Sequence, residues 1–186
     1  MEDKDEVERL QNHPSLALWC GNNEVDEAIV NWGYQKQFKY SKEDSVQVWK
    51  DYKKIFHEVI PNAIKKYATK DKQIYWPSSP SIGWGHQESL TEGDSHYWGV
   101  WWGGEDFEAF ENKTGRFVSE YGMQAMPNYS SILKFTQPQD RYLASDVMKN
   151  HQKAGNGYQK LDGYLKSYML DEEKIKKLSI ADYTYL

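Results

Sequence analysis

Apolar residues fall in short runs along this chain, separated by charged stretches, and their spacing changes from one stretch to the next. Val7 and Leu10 stand three apart among charges between Asp5 and Gln11, the spacing of a helix end. After His13-Pro14, the run Leu16-Ala17-Leu18-Trp19-Cys20 shows no alternation, which predicts a strand covered on both faces, as in a parallel sheet. It closes in Gly21-Asn22-Asn23-Glu24, a turn signal that carries polar groups. Ser41-Lys42-Glu43-Asp44 resembles a capping box with Asp in place of Glu or Gln. Behind it, Val48, Tyr52, Ile55, Phe56, Val59, Ile60 and Ile64 follow i, i+3, i+4 spacing and predict an amphipathic helix of several turns. Pro61 is expected to kink or restart that helix, because proline removes a helical hydrogen bond. Lys70-Asp71-Lys72 reads as a solvated loop.

Three more short strands are predicted: Gln73 to Trp76, stopped by Pro77-Ser78-Ser79-Pro80; His96 to Trp102; and Arg116 to Glu120, ending at Tyr121-Gly122. Ser81 to Asp94 is irregular and Gly-rich, as a substrate loop would be, and Phe107 and Phe110 mark a short helix. From about Ser130 to Leu186 the pattern is helices and loops. Strands alternating with helices indicate a parallel α/β fold, whose functional groups collect at the C-terminal strand ends. A closed (β/α)8 barrel needs eight strands and roughly 250 residues. The expectation is therefore a partial (β/α)8 barrel that occupies residues 1–186 as one domain.

Composition narrows the function. The net charge of −5 is a poor match to polyanionic DNA or RNA, and the basic clusters Lys65-Lys66 and Lys174 with Lys176-Lys177 alternate with apolar residues as solvated helix faces do. Nucleic acid is not an expected partner; a neutral sugar asks nothing of net charge. Eight Trp and fourteen Tyr suit either a buried core or a cleft that stacks on sugar faces, and the count does not choose. Cys20, the one cysteine, is expected to be a small buried hydrophobe. No apolar run reaches the ~18 residues of a membrane span, and the opening Met-Glu-Asp-Lys-Asp-Glu lacks the features of a signal peptide. Asn112-Lys113-Thr114 and Asn128-Tyr129-Ser130 are glycosylation triplets of a kind common by chance. No His, Cys, Asp or Glu cluster has metal-ligand spacing and no phosphate-cradling glycine motif is present, so neither metal nor cofactor is expected. His13, His57, His86 and His151 are assigned structural or exposed positions.

Glu24 and Glu120 each follow a short apolar strand. Cleaving a glycosidic bond with retention needs two carboxyl groups about 5–5.5 Å apart, one attacking the anomeric carbon and one protonating the leaving oxygen. Strand ends on one barrel rim can supply such a pair, but with twenty-eight acidic residues in the chain, placement by itself does not single these two out.

The surrounding residues do. His13 to Glu24, ending in Gly21-Asn22-Asn23-Glu24, resembles the acid/base segment of glycoside hydrolase family 2, where an Asn-Glu pair ends the fourth barrel strand. Arg116-Phe117-Val118-Ser119-Glu120-Tyr121-Gly122 resembles that family's nucleophile segment at the end of the seventh strand. Pro77-Ser78-Ser79-Pro80-Ser81 and Gly93-Asp94-Ser95-His96-Tyr97-Trp98 resemble segments of its bacterial β-mannosidase branch. The resemblance runs over nearly the whole chain. It implies barrel strands four to seven with their helices; the family's β-sandwich domains, first three strands and eighth strand find no counterpart.

It further implies a retaining exo-β-mannosidase acting on terminal β-mannosides, with Glu120 as nucleophile, Glu24 as acid/base and Asn23 on the sugar 2-hydroxyl. Trp32 would line the mannose site, with His96, Tyr97 and Trp98 on the rim beside the sugar. Without the resemblance, Asn23 reads equally as a turn residue, Trp32 as packing and His96 as a structural hydrogen bonder. A β-galactosidase or β-glucuronidase of the same family is the alternative enzyme, and a non-catalytic carbohydrate-binding fragment the alternative outside enzymes. Exposed barrel edges lead to an expectation of self-association.

Overall fold

Four short strands pair in parallel in the computed structural model, which describes residues 2–69 and 74–186. Strand β1 (Trp19–Cys20) lies beside β2 (Tyr75–Trp76), with Trp19 opposite Tyr75 and Cys20 opposite Trp76. Strand β3 (Ser95–Tyr97) lies beside β4 (Val118–Tyr121) in the register Ser95–Val118, His96–Glu120 and Tyr97–Tyr121, with an irregularity between Ser95 and His96. An isolated bridge between Asn23 and Ser79 continues the first pair. The parallel α/β reading holds, as two two-stranded sheets among the described residues. Lys70-Asp71-Lys72 and Gln73 lie outside the described residues.

Several strand expectations change. Only Trp19–Cys20 of the apolar run becomes strand, and it pairs with β2 alone among the described residues. Cys20 is exposed, not the buried hydrophobe expected. The strand predicted from His96 to Trp102 begins one residue earlier and stops at Tyr97. Beyond it the Trp98 carbonyl accepts from Trp102 N at 2.8 Å and Gly103 N at 3.2 Å, closing a turn. That turn buries Val100 and Trp101, whose apolar character had suggested strand.

The chain divides into two compact units, one running to Tyr97 and including Glu108–Tyr121, the other made of Trp98–Phe107 and Gly122–Leu186. In the first, α1 (Glu2–Leu10) has acidic residues in its first turn and Arg9 in its last, matching the helix dipole, and buries Val7. Two short helices, α2 (Val25–Val30) and α3 (Tyr34–Gln37), follow the turn after β1. Helix α4 (Lys42–Lys53) starts at the capping box read from the sequence: Asp44 N donates to Ser41 Oγ at 3.0 Å and Ser41 N to Asp44 Oδ2 at 3.1 Å.

Proline acts one turn ahead of itself. A π-helical stretch, Lys54–Val59, joins α4 to α5 (Ile60–Tyr67), and Ile60 N reaches back five residues to the Ile55 carbonyl. Pro61 has no N–H to give and its ring crowds the carbonyl four residues earlier, so the helix widens before it and does not break. Tyr52 and Ile64 are buried, whereas Ile55 and Val59 in the widened stretch are each 45% exposed. The α1 and α5 ends are joined by buried Gln11, whose Oε1 accepts from Thr69 N at 2.7 Å and Thr69 Oγ1 at 2.9 Å.

Between β3 and β4, helix α6 (Ala109–Asn112) takes Phe110 but not Phe107. The second unit is helical, as expected: α7 (Tyr129–Phe135), α8 (Asp146–His151), α9 (Gly157–Tyr168), α10 (Glu172–Ile175) and α11 (Ile180–Tyr185). Asn128, Ser145, Asp171 and Ser179 cap α7, α8, α10 and α11 through their side chains. Helices this short owe their stability to packing more than to propensity. Here Trp101, Leu161, Leu165, Ile175 and Tyr183 form one core cluster and Ile132, Met148 and Ile180 another. Each such buried side chain contributes about 1.5–3 kcal/mol of transfer free energy. Tyr183 donates to Asp162 Oδ1 at 2.7 Å; burial, with that carboxylate beside it, pushes its hydroxyl above the ordinary tyrosine range.

Candidate active site

The turn after β1 is built by Asn22. Its Nδ2 donates to the Pro77 carbonyl at 2.7 Å and its Oδ1 accepts from Val25 N at 3.0 Å, an Asx-type turn that launches α2. The next backbone atoms clip onto the segment after β2: Ser79 N donates to the Asn22 carbonyl at 2.9 Å and Glu24 N to the Ser79 carbonyl at 2.8 Å. Glu24, at the start of α2, has φ 59° and ψ 13°, the left-handed region. A non-glycine residue there costs on the order of 1–2 kcal/mol and persists only where its surroundings impose it; such residues cluster at functional sites. Glu27 of α2 holds the following loop by accepting from Gly83 N at 3.1 Å. A Cβ on Gly83 would meet that carboxyl at 2.2 Å, so a larger residue there would displace the Glu27 side chain.

Strands β3 and β4 bring His96 and Glu120 opposite each other. His96 Nδ1 lies 2.9 Å from Glu24 Oε1 and 3.6 Å from Glu120 Oε2. One nitrogen of His96 and one oxygen of each glutamate lie within 4.8 Å of one another. The imidazole is buried at 3% exposure, while Glu24 and Glu120 are 20% and 34% exposed, so the carboxylates face solvent and the histidine lies beneath. Groups at this spacing could also approach a cation, but two carboxylates sharing one imidazole equally form a proton-holding site, and no metal is assigned.

Below His96 is a polar layer the sequence reading did not single out. Asp94, fully buried, accepts from Ser79 Oγ at 2.6 Å, Ser119 Oγ at 2.5 Å and Ser81 N at 2.6 Å. Burial works against its charge, but these donors outweigh burial and hold the carboxyl below the usual Asp range. Ser79 Oγ also lies 3.0 Å from His96 Nε2. The signal in the sequence was the recurrence of small polar groups, Ser78-Ser79 after β2, Asp94-Ser95 at the start of β3 and Ser119 within β4, where apolar ones would fill a core.

Among the other candidates, Asn23 and Trp32 share a cavity of about 310 Å³ with Glu24, Val25, Ala28, Ile29 and Tyr34. Trp32 is 51% exposed and meets Tyr34 edge-on at 5.9 Å. Tyr97 is buried, its ring edge-on to Phe110 at 5.8 Å. Trp98 belongs to the second unit, packed against the cluster around Trp101. The structure thus brings Glu24, His96 and Glu120 together, sets Asn23 and Trp32 on the cavity beside Glu24, and gives Tyr97 and Trp98 packing surroundings. No helix among the described residues is long and apolar enough to cross a membrane.

No family model matches the chain. It is 31% identical over 168 residues to β-mannosidase B of Aspergillus fumigatus, covering 86% of this chain. It is 33% identical over 167 residues to β-mannosidase B of Emericella nidulans. Among solved structures, the β-D-mannosidase of Dictyoglomus thermophilum superposes with a TM-score of 0.71 at 33% identity over 98% of this chain. The chain is a relative of one segment of the β-mannosidases. It spans 19% of the length of the two fungal relatives and 21% of the solved chain. The likeness to β-mannosidases that was read from the two glutamate segments is thereby met in both sequence and fold.

Proposed function

We propose that the protein to which this segment belongs is a retaining exo-β-mannosidase of glycoside hydrolase family 2, releasing terminal β-mannose. The carrying observation is that Glu24 and Glu120, from distant parts of the chain, offer carboxylate oxygens within 4.8 Å of each other and of His96. That spacing suits the two-carboxylate arrangement of retaining enzymes, and is well below the roughly 6.5–9.5 Å of inverting ones. In this reading Glu120 attacks the anomeric carbon while Glu24 protonates the leaving oxygen; Glu24 then removes a proton from water as water displaces Glu120. Asn23 contacts the sugar 2-hydroxyl and Trp32 offers a ring to the mannose site.

The same reading makes the fold a partial (β/α)8 barrel. A polar row supports it: Asn23 and Glu24 after β1 touch Ser79 after β2, Ser79 touches His96 of β3, and His96 touches Glu120 of β4. Four successive strands contribute in chain order, at or beyond their C-terminal halves, as on a barrel rim. The test is hydrolysis of aryl β-mannoside, β-galactoside and β-glucuronide by the full-length protein. Preference for the mannoside, abolished by Glu120→Ala, is expected; preference for either other sugar would sink the mannose assignment.

A further inference from the structure

Ser79 has one hydroxyl proton and several polar neighbours, Ser119 Oγ at 3.5 Å and the Cys20 thiol among them, but two lie closest. Its Oγ lies 2.6 Å from Asp94 Oδ2 and 3.0 Å from His96 Nε2. Asp94 is buried and accepts from Ser119 and the Ser81 backbone as well, so its carboxylate is ionised and can only accept. The Ser79 proton therefore goes to Asp94. Ser79 Oγ meets His96 Nε2 as an acceptor, and Nε2 carries a hydrogen.

The consequence falls on the other ring nitrogen. A neutral imidazole protonated at Nε2 has a lone pair at Nδ1, and that atom lies 2.9 Å from Glu24 Oε1. Two lone pairs do not bond at that distance. A proton must lie between them, either on Glu24 or on Nδ1 as imidazolium. Glu120 Oε2 lies 3.6 Å from the same Nδ1. Were Nδ1 the hydrogen-bearing atom of a neutral ring, it would donate to an ionised Glu24, and the pair would hold one proton fewer.

We propose that Asp94 and Ser79 are positioning residues which, by fixing His96 with hydrogen on Nε2, keep the acid/base proton on the Glu24–His96 pair. The proposal rests on the assignment of Glu24 as acid/base. In the first half-reaction a Glu120 oxygen bonds to the anomeric carbon, the bond to the leaving oxygen breaks, and the pair's proton passes to that oxygen. Glu24 is left as a carboxylate facing the Nδ1 lone pair. In the second half-reaction water gives a proton to Glu24, its oxygen bonds to the anomeric carbon, and the bond to Glu120 breaks. The pair ends with the proton it began with, and Asp94 and Ser79 exchange none.

The first test needs no substrate. Long-range 1H–15N spectra of the histidine-labelled chain, assigned by loss of one ring signal set in His96→Gln, are expected to show His96 protonated at Nε2. In Ser79→Ala the ring is expected to move toward the Nδ1-protonated form. A wild-type His96 with a bare Nε2 would overturn the proposal. The second test uses the full-length protein. Ser79→Ala is expected to lower kcat/KM about 100-fold on an alkyl β-mannoside, within the range for general acid catalysis, and less than about 5-fold on a dinitrophenyl β-mannoside that needs no protonation. An equal loss on both substrates would mean a merely structural role and would also overturn it. If the wild-type protein hydrolyses no glycoside, the acid/base reading falls and this role with it, while the spectrum still reports the tautomer separately.

Discussion

His96 and Glu120 are register partners on adjoining parallel strands, and the imidazole nitrogen 3.6 Å from Glu120 is the one 2.9 Å from Glu24. One buried ring thus joins two carboxylates that lie nearly a hundred residues apart in the chain. The predictions below follow from that arrangement and from the elements that hold it.

The two glutamates should fail differently. In the full-length protein, Glu120→Ala is expected to lower kcat by a factor on the order of 10⁴ or more with every β-mannoside, as loss of a nucleophile does. Glu24→Ala should cost about 10²–10⁴ with poor leaving groups and far less in glycosylation with activated ones. Steady-state kinetics on a leaving-group series would separate them; identical profiles would contradict the division of roles. The 186-residue chain alone is expected to show little or no turnover, since it spans about a fifth of the β-mannosidases it resembles.

Glu24 is held in the left-handed region at φ 59°. Glycine adopts that conformation without a Cβ clash, so Glu24→Gly should be more stable than Glu24→Ala by about 1 kcal/mol, although both lack the carboxylate. Urea unfolding of the two variants measures the difference. Equal stabilities would show that the backbone there carries no strain.

Asp94 gives a pH signature. Its folded carboxyl lies below the ordinary value of 3.8, so its contribution to stability is full above that value and is lost as pH falls through the folded value. The stability advantage of wild type over Asp94→Asn should therefore be constant near neutral pH and shrink below about pH 4. Unfolding curves recorded between neutral pH and pH 3 check this. An advantage that grows on acidification would mean the carboxyl is destabilised by folding.

Ser41 caps α4 through the Asp44 amide. Ser41→Ala is expected to cost about 1 kcal/mol, measurable as a lower urea midpoint with unchanged slope.

Strand β1 pairs on one side only among the described residues. An open strand edge invites pairing with another chain. Sedimentation of the 186-residue chain should show mass rising with concentration; a monomer throughout would argue that the edges are protected.

Local signals were legible where a single residue dictates its surroundings. The Ser41–Asp44 box fixed the start of α4, whereas the caps Ser145, Asp171 and Ser179 of the short helices near the end were not singled out in the sequence. The strand ends bearing Glu24 and Glu120 were legible for the same reason, because each apolar run stops at polar groups. What could not be read depends on partners distant in sequence. Val100 and Trp101 look like strand residues, yet a turn buries both, Trp101 among helices that begin after residue 122. Cys20 looks like core, but its exposure depends on what packs on its face of the strand, which the local sequence does not carry. Asp94, Ser79 and Ser119 form a site layer only once β2, β3 and β4 bring these distant segments together.

The widened stretch at Lys54–Val59 also acts as a phase adjuster. Tyr52 and Ile64 are both 4% exposed, although twelve residues separate them. At the roughly 100° per residue of an α-helix, their side chains would point about 120° apart. The six π-helical residues turn by only about 80° each, and this slower winding removes nearly all of that difference. A proline that would break a uniform α-helix is thus met by slower winding, which lets residues at both ends of the rod be buried.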